Sequence, residues 1–207
     1  MTGVRHHRGP IAVVAALVLG LVVALIVAVL PGAVSRADAK PDPRWRFYTR
    51  DTTRYTSPWF AGGHRIMVPF GCTRAPYYDP DPRCRHDRGF HHGIDVAMAC
   101  GTALYAGRRG RVLSPSAQGR PGAAYGVHPF RIRSVVHGRT VDILIGHARR
   151  VFVEPGERVR RGRLIARASD SGAPDGCHLH FEVRPAGGGY TAAINPRRLL
   201  ALAHVSP

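Results

Sequence analysis

Twelve histidines are many for a chain of 207 residues, and two short runs place some of them where an extended backbone can use them. In a β-strand, residues two or four apart point to the same face. In the run FHHGIDVA, His91 and Asp95 are four apart, so an extended segment aims both at one side, while His92 faces away and reads as a non-ligand. In CHLHFEV, His178 and His180 are two apart and Leu179 turns into the core. Two such strands laid side by side converge His91, Asp95 and His180 on one metal ion. Either run alone is more often a surface feature or a satisfied core histidine; the pair together points to chemistry. Two imidazoles and one carboxylate leave a fourth position for water, the arrangement of a catalytic rather than a structural zinc. Zinc brings the pKa of its water toward neutrality and polarises a carbonyl, and His178, on the face of His180, supplies the base. The cofactor expected is one Zn2+ per chain. His6, His7, His64, His86, His128, His137 and His204 lack a same-face partner and read as surface or turn residues.

The elements that must carry these residues are short and β-rich. Runs from Ile66 to Pro69, Gly93 to Ala97, Gly110 to Leu113, Ile132 to Val136, Val141 to Ile145, Leu164 to Ala168 and Leu179 to Val183 are separated by glycine and proline turns. Many short strands with turn signals predict an all-β fold, an antiparallel two-sheet sandwich or barrel-like domain. One short C-terminal helix is expected over Arg197 to His204, with Asn195 as cap and Pro196 in the first turn. The glycine-rich segment from Pro115 to Pro129 and the stretch YYDPDPRCRHD read as loops, which in a β scaffold wall a groove.

Upstream, Ile11 to Leu30 is an unbroken apolar run preceded by Arg5 and Arg8. Twenty apolar residues suffice to span a bilayer, with the basic end cytoplasmic. Residues 1–39 are therefore read as a signal peptide or signal-anchor, and Ala37-Asp38-Ala39 offers a cleavage site. Residues 40–63, rich in Pro, Arg and Thr, read as a linker, and residues 64–204 as the domain. The expected location is extracytoplasmic, either anchored by a single span or secreted to the cell wall. Cys72, Cys84, Cys100 and Cys177 lie beyond the apolar run without CxxC spacing, so two disulfides are expected, Cys72 with Cys84 and Cys100 with Cys177. The net charge of +17 suits anionic wall polymers or a membrane surface, partners an exported domain meets before nucleic acid. Codon bias explains such a charge equally well.

The blocks FHHGIDVA, CGTALYA, GHARRVFVEPGERVRRGRLIA, SDSGAPDGCHLHFEVRP and INP, in this order from Phe90 to Pro196, resemble those of the lysostaphin and LytM type of zinc peptidases. The resemblance implies an exported zinc-dependent metalloendopeptidase that hydrolyses peptide bonds in the stem peptides or cross-links of bacterial peptidoglycan, by attack of a zinc-bound water. It implies His91, Asp95 and His180 as metal ligands and His178 acting on the water. It implies a second catalytic role for His147, which holds the water or stabilises the oxyanion; without the resemblance His147 reads as a structural residue at a strand end. The chain departs from the pattern where Ile145-Gly146 precedes His147, where Cys177 replaces a common proline, and at Cys100. A bridge between the last two would stiffen the metal site. Tyr77 and Tyr78 are candidate oxyanion donors that no spacing selects. The alternatives are a catalytically silent wall-binding or hydrolase-activating relative and an exported polyanion-binding module. A biotin- or lipoyl-carrier reading fails because Lys40, the only lysine, lies in the stretch read as linker.

Overall fold

A computed structural model describes residues 40–205; the apolar run Ile11 to Leu30, and with it the signal or anchor reading of residues 1–39, lies outside them. Turn glycines and prolines cut the described chain into strands β1 (Arg54–Ser57), β2 (Phe60–Val68), β3 (Gly71–Thr73), β4 (Gly89–His91), β5 (Gly93–Ala97), β6 (Ala103–Tyr105) and β7 (Gly110–Val112). They continue as β8 (Phe130–Val136), β9 (Arg139–Gly146), β10 (Ala148–Arg149), β11 (Arg158–Val159), β12 (Leu164–Ala168), β13 (His178–Pro185) and β14 (Ala203–His204), with one helix, α1 (Arg197–Leu200). All seven strands expected from the sequence are present. Among the described residues no helix is long and apolar enough to cross a membrane.

Ten strands follow one antiparallel path, β10-β12-β6-β2-β5-β13-β9-β8-β7-β11, with β1 and β14 joined at β2 and a separate β3–β4 ribbon. The two separate sheets of a sandwich are therefore replaced by one continuous sheet. Its halves share a core, since Leu104 and Ile165 from one end cluster with Ile132 and Ile143 from the other, and a single path can do this only by curling strongly on itself. Alternation on the central strands sorts the faces: Leu179, Phe181 and Val183 enter the core, and His178, His180 and Glu182 point the other way. Phe181 is fully buried with Trp59 at 4.9 Å between ring centroids. Burying a side chain of this size contributes about 1.5–3 kcal/mol.

Residues 40–63 depart from their reading as a linker. They carry β1 and the start of β2, and Trp45, Phe47 and Tyr48 pack on Met67, Val68 and Ala97. Trp45 Nε1 donates to the Cys177 carbonyl at 2.7 Å, and the Cys177 N–H donates to Asp42 at 3.1 Å. These aromatics follow no local period because their partners are far away in sequence. The helix is also shorter than expected: Asn195 Oδ1 accepts the Arg197 N–H at 3.0 Å, but Ala201 turns left-handed at φ +50° and Ala203–His204 pair with β1. Disulfides join Cys72 to Cys84 and Cys100 to Cys177, the pairing expected. The second ties the turn after β5 to the residue before β13, the two strands that meet at the site.

Candidate metal centre and cleft

β13 lies against β5 with His180 opposite Asp95 and His178 opposite Ala97. Cross-strand partners share a face, so this register alone brings His180 to Asp95, 2.8 Å between Nδ1 and Oδ1. His91 arrives differently. Four residues of straight strand span about 13 Å, too far for His91 and Asp95 to touch one ion, but the chain bends at His92 between β4 and β5. His91 Nε2 then stands 3.3 Å from Asp95 Oδ1 and 3.2 Å from His180 Nδ1. The same-face argument named these three residues without the bend, and it is the bend that brings their side chains within reach of one another. His92 turns away to Arg83 and the Tyr190 ring.

Two glycines make room for the His180 ring. A Cβ on Gly93 would stand 2.6 Å from His180 Cε1 and 2.8 Å from the Phe181 carbonyl, and one on Gly146 would meet His180 Cβ at 3.0 Å. Gly93 lies on β5 and Gly146 on β9, so the imidazole sits in a slot between its two neighbouring strands.

The proton positions follow from what each ring faces. A ring nitrogen against a carbonyl oxygen must be an N–H, because the carbonyl only accepts. His91 Nδ1 donates to the Pro69 carbonyl at 3.1 Å, His178 Nδ1 to Gly176 at 2.9 Å and His147 Nδ1 to Ser171 at 2.7 Å. His180 Nε2 donates to Glu182 at 3.2 Å. In their neutral forms all four imidazoles therefore turn an unprotonated nitrogen inward, where His91 Nε2 and His180 Nδ1 confront each other beside a carboxylate. Lone pairs at such separations repel unless a positive charge lies among them. The donor set, two imidazoles and one carboxylate with outer partners on both rings, fits a zinc-type cation.

Electrostatics agree with that need. Burial works against charge on His180, but its hydrogen bonds to Asp95 and Glu182 outweigh it and push the ring up to about 9. Burial also opposes the Asp95 charge, yet His91 and His178 beside it hold the carboxyl well below the usual range. His147 is brought down to about 3 by burial and then by His178 and His180, and so is neutral. Asp175 lies 3.6 Å from His178 Nδ1, beyond hydrogen-bond reach.

His147 is brought to the cluster by strain. Its φ of +52° is in the left-handed region that favours glycine, and it is held there by the backbone. Its N–H donates to Tyr125 O at 2.8 Å, and its carbonyl accepts from the Ser169 N–H and hydroxyl at 2.9 and 2.8 Å. Its ring centroid is 4.4 Å from that of His178. His91, His147 and His180 open on a cleft of about 490 Å³ that Tyr77, Tyr78, Gly122, Ala124, Tyr125 and Tyr190 also line. Both loops expected to wall a groove do so. Burial raises the Tyr78 hydroxyl far above its ordinary pKa, which keeps it a proton donor. The sequence reading missed Glu182 and Tyr125. Glu182 was findable, two residues beyond His180 on the same face; Tyr125, in a glycine-rich loop, carried no signal.

With this geometry in place, the comparisons with known proteins are informative. A family model described as Peptidase family M23 matches residues 89–196; the chain belongs to peptidase family M23. It is 32% identical over 95 residues to peptidoglycan DD-endopeptidase ShyA of Vibrio cholerae, a match covering 45% of this chain and 20% of that protein. ShyB of the same organism is 30% identical over 95 residues with the same coverage, 45% and 20%. The chain thus spans about 20% of the length of these curated relatives. Among solved structures, LytU matches with 27% identity and a TM-score of 0.51, over 67% of this chain and 85% of that one. The catalytic domain of the antimicrobial peptidase lysostaphin from Staphylococcus simulans shares the fold at 20% identity, with a TM-score of 0.50 over 66% of this chain and 92% of that one.

Proposed function

We propose that the chain is an exported zinc-dependent metalloendopeptidase that hydrolyses peptide bonds in the stem peptides or cross-links of bacterial peptidoglycan. The observation that carries this reading is the convergence of His91 Nε2, Asp95 Oδ1 and His180 Nδ1, whose mutual separations run from 2.8 to 3.3 Å. The naming of two relatives as peptidoglycan DD-endopeptidases supports the substrate class. Two disulfides support an oxidising, extracytoplasmic location. On this reading residues 1–39 are the export segment, and the peptidase domain starts near residue 40 rather than 64.

His91, Asp95 and His180 would hold the ion. Zinc there would supply Lewis acidity to the scissile carbonyl and lower the pKa of the attacking water. His178 has its Nδ1 proton committed to Gly176 and its Nε2 turned inward, 3.7 Å from Asp95 Oδ1. It is the base that takes the water's proton at Nε2 and returns it to the leaving amine. His147, neutral and with Nδ1–H committed to Ser171, can only accept at Nε2, which suits holding the water rather than donating to an oxyanion. Tyr78, lining the cleft with its hydroxyl kept protonated, is the donor for that charge.

The test is a digest of purified peptidoglycan by the purified protein with its zinc content measured in parallel. About one zinc per chain is expected, with release of peptide fragments that stops in chelator and resumes on adding zinc. Hydrolysis that ignores the chelator would reject the mechanism, and wall binding without hydrolysis would favour the silent relative.

A further inference from the structure

Three of the four imidazoles have their outer nitrogen held by a backbone carbonyl; His180 alone relies on a side chain, Glu182. Glu182 is fully buried, and burying a carboxylate costs free energy unless it is paired and hydrogen-bonded. It is paired. Arg184, two residues along on the same face and 2% exposed, donates through Nε to Glu182 Oε1. The Tyr125 hydroxyl donates to Oε2 at 3.0 Å, and Arg184 Nη2 donates to that hydroxyl at 3.1 Å. Arg184 Nη1 also reaches the Gly119 carbonyl at 2.9 Å. The group is thus closed: each Glu182 oxygen has its donor, and Arg184 and Tyr125 tie the carboxylate to the 115–129 loop.

We propose that Glu182 is the positioning residue of the metal centre, holding the Nε2 proton of His180 so that Nδ1 presents its lone pair to the ion, with Arg184 and Tyr125 fixing the carboxylate in that place. The inference rests on the metal reading above and adds a residue that touches neither ion nor substrate. An anionic acceptor on the outer nitrogen also makes the imidazole a stronger donor to a cation than a carbonyl would. Tyr125 extends the effect. Its hydroxyl steadies Glu182 and its carbonyl takes the His147 N–H at 2.8 Å, so one loop residue sets both a ligand and a catalytic histidine.

Removing Glu182 alone would strand the buried Arg184 charge and could unfold the protein for that reason. The paired variant E182M/R184M removes both charges together, and Y125F deletes only the hydroxyl. The readouts are zinc affinity by competition with a chelating dye and the 15N and 1H signals of the His180 ring in the zinc-loaded protein. Expected are a slowly exchanging Nε2–H on His180 in the wild type and its loss in E182M/R184M, with zinc affinity reduced about 10- to 100-fold. Y125F should weaken zinc only a few-fold and speed exchange of that proton. A folded E182M/R184M that binds zinc as the wild type does, with the same ring signals, overturns the inference while leaving the metal reading intact. A wild type that takes up no zinc overturns both.

Discussion

Substituting single residues separates the roles that share one face of β13. On the proposed function His180→Ala removes a ligand, so bound zinc and peptide release should be lost together. His178→Ala leaves all three proposed ligands in place; zinc should stay near one per chain while turnover falls about 10²- to 10⁴-fold, the usual contribution of a general acid–base group. Metal content measured beside peptide release distinguishes the two, and full turnover in the His178 variant would refute its assignment as base. Gly93→Ala tests the slot. The added methyl would press on the His180 ring and the Phe181 carbonyl at 2.6–2.8 Å, and forcing extra carbon into a packed site costs about 1–3 kcal/mol. Denaturant melts should show that loss together with weaker zinc binding; an unchanged variant would mean that β5 and β13 have more play than their register allows.

Among the elements, the segment 42–48 is a strap rather than a tether, because its Asp42 and Trp45 side chains bond both backbone groups of the residue just before His178. Asp42 takes the Cys177 N–H and is held by Arg44, which also reaches Asp170 at 2.9 Å. The Arg44 hydrogen bonds bring the Asp42 carboxyl from 3.8 down to about 2. A carboxyl with a lower pKa folded than unfolded adds stability above its unfolded pKa and loses it as pH falls through the folded one. The Asp42 charge should therefore contribute fully above about pH 4 and nothing below about pH 2, while the aromatic packing of the strap stays. In thermal melts across that window the difference between wild type and Asp42→Asn should shrink as pH falls; a constant difference would show that the charge of Asp42 does not hold the strap. The strap was hidden in the sequence because its proline and arginine content resembles a linker, and Trp45 and Phe47 gain meaning only from the distant Met67 and Val68.

At the scale of the whole molecule, the curled sheet continues the face that carries His178 and His180 into a row of basic residues. Arg158, Arg111 and Arg133 lie directly opposite one another across β11, β7 and β8, and of these three Asp142 on β9 engages Arg133, at 2.7 and 2.9 Å. Like charges set side by side repel, and a polyanion relieves them. Retention on an anionic wall polymer should fall steeply between about 50 and 200 mM salt, be reduced in R111Q/R158Q, and be unaffected by chelator; retention indifferent to salt would remove charge from the account of wall affinity. Local pattern was legible in the sequence: alternation on β5 and β13 put Asp95, His178 and His180 on one face, turn residues marked seven strands, and the order of blocks pointed to the family. None of that needs more than neighbours along the chain. Only the tertiary structure decided the bend at His92 that brings His91 to Asp95, the left-handed backbone of His147, the slot between Gly93 and Gly146, and the reach of Tyr125 to Glu182. Each depends on which strands lie side by side and how loops dock across them, and those contacts are fixed by packing between residues far apart in the chain.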